Sequence, residues 1–136
     1  MIGRCLVIGA ALLGCVSTAA ANPTWLHKDE AKLRALDKIT GRSTDLVIKV
    51  GEPVVFGSLT VYLQVCYQTP PEEAPESAAF LRVNSNQPVE TEDGVDPEPR
   101  IFSGWMFASS PGLSALEHPV YDVWVIECQA PELPTE

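Results

Sequence analysis

The chain has 136 residues, 9 Lys and Arg against 18 Asp and Glu, a formal charge of −9, and 46% hydrophobic residues. That size and composition suit one globular domain with one core and exclude a second. The acid excess argues against binding a phosphate backbone, which rests on Lys and Arg displacing counterions, and against adsorption to an anionic membrane surface, so no nucleic-acid partner is expected.

Residues 1–21 read as a signal peptide, with one charge at Arg4, an apolar run from Cys5 to Val16, and Ala19 and Ala21 in an A-x-A arrangement before Asn22. The run is well short of the roughly 20 residues that a permanent membrane helix needs, so no transmembrane segment is expected after processing. Leu12-Leu13-Gly14-Cys15 also resembles a lipobox, which gives an alternative in which Cys15 is lipidated and anchors the chain. Cleavage near Asn22 would remove Cys5 and Cys15 and leave Cys66 and Cys128 as the only thiols. In an oxidising periplasm such a pair forms a disulfide, because a metal site would need further ligands. Closing a loop of 62 residues is worth about 4 kcal/mol by chain entropy.

Residues 22–32 form an amino-terminal lead-in, 33–128 a single β-rich domain, and 129–136 a carboxy-terminal tail. Between Trp25 and Ile39 the apolar residues Ala31, Leu33, Ala35 and Leu36 fit helical spacing as well as a strand. The charges around Asp29 and the Thr40-Gly41-Arg42 turn predict a short helical turn over 28–32 followed by a strand. Leu46 to Val50 is rich in β-branched residues and ends at Gly51, a strand signature. Val54-Val55-Phe56 leads into Gly57-Ser58, and a Gly in the first central position suits a two-residue type II′ hairpin. In the run that follows, Leu59, Val61, Leu63 and Val65 alternate with Thr60, Tyr62, Gln64 and Cys66, so the first set shares one face.

Thr69 to Glu76 must be a loop, because its prolines lack the N–H and restrict the residues before them. Ala78 to Val83, Ile101 to Phe107 and Val123 to Cys128 read as strands, with Gly104 marking a bulge or a close backbone approach. Asn84 to Pro99 is polar, acidic and aperiodic and reads as a long mobile connection. The pattern predicts a mainly β fold, a small antiparallel sandwich or barrel with one disulfide, Cys66 to Cys128.

Four candidate sites stand against structural alternatives. The acidic run Glu90 to Glu98 fails the calcium-loop register, since placing Gly94 at the invariant glycine puts Arg100 where the bidentate acid belongs, so it reads as a solvated loop. Ser109, Ser110, His118 and Asp122 have the side-chain types of a hydrolase triad but lack a G-x-S-x-G elbow. Their bland role is turn formation and backbone capping. His27, His118, Cys66 and Cys128 could donate to a metal but show no close ligand spacing, so neither metal nor cofactor is expected. Trp105, Tyr121, Trp124 and His118 surround a Pro-bearing loop and are the candidate binding residues; their bland role is core packing.

Leu36 to Gly41, Phe56-Gly57-Ser58-Leu59, Cys66-Tyr67-Gln68-Thr69-Pro70-Pro71, and Ile101 to Gly112 running on through Glu117 to Trp124 and Cys128 together resemble a bacterial family. It is the domain of unknown function 2155, found mainly in alphaproteobacteria. The likeness covers about residues 33–128 and implies an exported bacterial protein, without implying a reaction, ligand or catalytic residue. The expected function is a non-catalytic periplasmic module for binding or assembly support in the cell envelope, with an envelope protein or peptide as partner. The alternatives are an envelope hydrolase using His118 with Ser109 or Ser110, and a structural lipoprotein held through Cys15.

Overall fold

Ala31, Leu33 and Ala35 are fully buried while Lys32 and Arg34 between them are partly exposed. That two-residue period is the period of a strand. The computed structural model describes residues 24–131 and gives ten strands there: β1 (Leu26–Lys28), β2 (Glu30–Asp37), β3 (Arg42–Lys49), β4 (Val54–Phe56), β5 (Leu59–Gln68), β6 (Ser77–Ser85), β7 (Val89–Thr91), β8 (Gly94–Asp96), β9 (Arg100–Phe107) and β10 (Tyr121–Gln129). Residues 1–21, which the sequence suggests are a signal peptide, with Cys5 and Cys15, and the end of the tail lie outside the described residues.

All strand pairs are antiparallel. One sheet runs β1-β5-β6-β9, with β4 also on β5, a second runs β10-β2-β3, and β7 and β8 form a separate ribbon. The two main sheets close a single core between them. Leu33, Ile48, Val123 and Val125 come from one side, and Leu59, Val61, Leu63, Leu81 and Val83 from the other. Neither sheet rolls round to meet its own far edge, so the architecture is an open sandwich rather than a barrel.

The turns follow from local chemistry. Asp37 Oδ1 accepts the N–H groups of Ile39 at 2.8 Å and Thr40 at 3.2 Å, and Gly41 takes φ +70°, which closes the β2–β3 hairpin. Gly57 takes φ +57° while Ser58 stays on the negative side, as a type II′ turn requires. The Thr69 hydroxyl donates to the Ala74 carbonyl and accepts the Glu76 N–H, both at 2.9 Å, and so ties off the proline-rich loop.

Two bulges place the cysteines. In β5, Leu63 pairs with Leu81 and Val65 with Phe80, so Gln64 is an extra residue. In β10, Val125 pairs with Leu33 and Glu127 with Lys32, so Ile126 is another. Each extra residue reverses the alternation and turns the following cysteine inward. Cys66 and Cys128 meet in the core as a disulfide with a Cα–Cα distance of 5.7 Å, joining the two sheets.

Four expectations need correction. The helical turn over 28–32 is absent: Asp29 is instead the crossing point where the chain leaves the first sheet at β1 and enters the second at β2, and its carbonyl accepts the Val50 N–H at 2.9 Å. The lead-in therefore contains paired strands. Val65 does not share the core face of Leu59, Val61 and Leu63; Cys66 takes that place because of the bulge. The bulge in β9 falls at Ile101, not at Gly104, which pairs in register with Leu81. Asn84 to Pro99 is not a bare connection, since β7 and β8 pair within it, the Thr91 hydroxyl donates to the Gly94 carbonyl at 2.8 Å, and Ser85 N–H bonds the Pro99 carbonyl at 2.8 Å.

Candidate functional site

Along β9 the side chains alternate, so Met106 enters the core while Trp105 and Phe107 stand on the outer face of the larger sheet. Ala78 pairs with Phe107 on one side and with Tyr67 on the other, and Tyr67 pairs with His27. A small residue between large ones leaves a hollow over Ala78. Trp25, Tyr67, Trp105 and Phe107 wall it, enclosing a groove of about 370 Å³ with almost no polar lining.

The groove is braced by its own aromatics. Tyr67 and Trp105 lie nearly parallel with centroids 6.1 Å apart, Phe80 meets Trp105 edge-on at 5.5 Å, and His27 meets Tyr67 edge-on at 5.6 Å. Such contacts fix the ring positions. Trp25 and Trp105 nevertheless remain 37% exposed, so a large apolar surface faces solvent. At the other end of the same face the Tyr62 hydroxyl donates to Glu98 at 2.5 Å and the Arg82 guanidinium sits 4.3 Å above the Tyr62 ring. The Glu98 carboxylate, reinforced by burial, holds the Tyr62 hydroxyl above its ordinary pKa.

The residues nominated from the sequence are dispersed. Trp105 belongs to the groove. Trp124 lies on the smaller sheet, paired across to Arg34, whose guanidinium grips Asp45 at 2.7 and 3.0 Å. Tyr121 packs against the core and meets Phe56 edge-on at 5.3 Å. His118 stacks on Tyr121 at 5.3 Å, and its Nδ1 accepts the N–H groups of Val120 and Tyr121, both at 3.1 Å. It thus caps the entry to β10.

The hydrolase residues are engaged elsewhere. The Ser109 hydroxyl and N–H both donate to the Glu76 carboxylate, the Ser110 N–H bonds the Phe107 carbonyl at 3.1 Å, and Asp122 pairs with Lys38 at 3.4 Å. Burial pushes the Glu76 carboxyl up, but the Ser109 hydroxyl and the amides of Ser109, Ser77 and Ala108 outweigh it and hold its pKa below the ordinary value. No group of three or more His, Cys, Asp or Glu side chains that could hold a metal occurs among the described residues, and those residues form no helix long and apolar enough to cross a membrane.

Reading the sequence missed Trp25, Tyr67, Ala78 and Phe107. The signal was present at Phe107, which shares parity with Trp105. Tyr67 was hidden by the bulge at Gln64, and Trp25 by its place in the lead-in.

Fold and site together define a disulfide-stapled antiparallel sandwich that carries an aromatic groove on one outer face. The chain belongs to the bacterial family described as an uncharacterised conserved protein, domain of unknown function 2155, whose model matches residues 31–128. It is similar to an uncharacterised protein of Rickettsia prowazekii (strain Madrid E), with 32% identity over 98 residues, 71% of this chain and 59% of that protein. The chain therefore spans about three-fifths of that relative's length. No solved structure matches it.

Proposed function

We propose that the protein is a non-catalytic recognition or assembly-support module of the bacterial cell envelope, working in the periplasm and holding a partner protein or peptide against the aromatic groove. The observation that carries this reading is the rigid hollow over Ala78, walled by rings that remain open to solvent. Aromatic side chains offer large contact area at low entropic cost, which is why they dominate binding surfaces. The interlocked disulfide suits an oxidising compartment, and the A-x-A sequence before Asn22 supports export with release rather than retention through Cys15.

A photo-crosslinking amino acid at Phe107, in cells producing the full chain, tests this reading. A discrete adduct is expected at Phe107, absent when the same group is placed at Val47 on the opposite sheet, and lost when Trp105→Ala is added. Equal yields at the two positions, or no adduct at Phe107, would overturn it. Osmotic shock should release wild type and Cys15→Ala alike; retention of wild type alone would replace periplasmic release with lipid anchoring.

A further inference from the structure

A sheet edge presents unpaired N–H and C=O groups, and proteins protect such edges with short strands, charges, prolines or bulges. Most edges of this sandwich are protected. β1 and β4 are three residues each, with Lys28 in the first and Pro53 just before the second. β3 carries Arg42, Asp45 and Lys49. β10 carries Asp122, Glu127 and the bulge at Ile126. β9 differs. Among the described residues it pairs only with β6; Arg100 and the bulge at Ile101 protect its start, but from Phe102 to Phe107 it has no charge, proline or bulge. Among the described residues, no backbone group from Ile101 to Met106 bonds to anything beyond that pairing.

The exposed side chains agree. Ile101 and Trp105 are 38% and 37% exposed. The same strand supplies Trp105 and Phe107 to the groove, so an added strand would run beside those rings.

We infer that β9 is a docking edge for β-strand addition, taking an extended segment of another protein that continues the larger sheet and carries positive charge. An extended main chain is the only structure whose hydrogen-bonding groups match a free edge along its length. A second copy of this chain is disfavoured as occupant, because each copy brings a net charge of −9, whereas a cationic segment is attracted by the same charge. This inference rests on the recognition reading above and gives it a binding mode.

The test is hydrogen exchange of the full chain with octapeptides in which Lys alternates with varied apolar residues, each also made with alternate amides N-methylated. The expected result is at least tenfold slower exchange at β9 amides with the unmodified peptides, no such protection with the methylated ones, and none at β3. Tryptophan quenching without β9 protection would overturn strand addition while leaving recognition by the groove intact. Protection at β3 in place of β9 would also overturn it. Absence of both protection and quenching would overturn the edge and the groove together.

Discussion

At Gly57 two requirements coincide: φ is +57°, and a Cβ there would overlap the ring of Tyr121. Gly41 has φ +70° but nothing within 4 Å of where its Cβ would stand. Gly41→Ala should therefore cost only the backbone strain, about 1 kcal/mol. Gly57→Ala adds an overpacked ring and should cost about 3 kcal/mol. Urea unfolding of the two variants checks this, and equal losses would remove the role assigned to Tyr121. Glu76 is the second residue with a definite expectation. Its folded-state pKa is depressed, so the stability it gives is present above the ordinary carboxylate range and is lost as pH falls through the folded value. Glu76→Gln should destabilise by about 1 kcal/mol at neutral pH, a figure kept low because the group is only half-buried. In strong acid the variant and the wild type should unfold alike, as parallel urea titrations would show. His118 was legible as a polar residue near a loop end, but its part as acceptor for two amides depends on a chain path that spacing does not reveal.

The strands were legible wherever β-branched residues clustered or alternated, as in β3, β5, β6, β9 and β10. The misplacements share a cause. A bulge keeps the composition of a strand and changes its parity, so counting by twos beyond Gln64 puts Val65 inside and Cys66 outside, the reverse of what is found. The same shift concealed Tyr67 as a wall of the groove. Ala31, Leu33 and Ala35 satisfied a strand period and, with Leu36, a helical one, and only pairing with β3 and β10 decides between them. The grouping of Trp105 with Trp124 came from nearness along the chain, although β9 and β10 belong to different sheets. Deleting Gln64 should therefore remove the bulge yet keep Val65 opposite Phe80 and Cys66 opposite Ala79, so that Cys66 still faces Cys128. Thiol titration of the denatured, unreduced deletion variant is expected to find the Cys66–Cys128 bridge intact; two free sulfurs would show that Gln64 is not the extra residue of β5.

Across the whole molecule, the two sheets are joined by a shared core and by one covalent link. Both sulfurs are buried, and the Cys128 N–H donates to the Ser77 hydroxyl at 3.0 Å, so the link sits in an ordered setting rather than at a frayed end. Cys66→Ala with Cys128→Ala should lower stability by about 4 kcal/mol, read from urea midpoints with and without reductant. Wild type should become sensitive to dithiothreitol in denaturant, and the double variant should not. The fold class and the pairing of the cysteines could be read from the sequence because each depends on composition and count. The groove could not, because it is assembled from Trp25 just before β1 and from β5, β6 and β9, and the choice of neighbours within a sheet is a property of the assembled molecule.

The bridge joins the middle of the chain to its last strand. β5 and β10 belong to different sheets, so the packing of one sheet on the other is what brings these two sulfurs, 62 residues apart along the chain, within bonding reach. Sulfur–sulfur closure therefore reports that meeting of the sheets, and the rate at which alkylating reagent loses access to the thiols during oxidative refolding would time it.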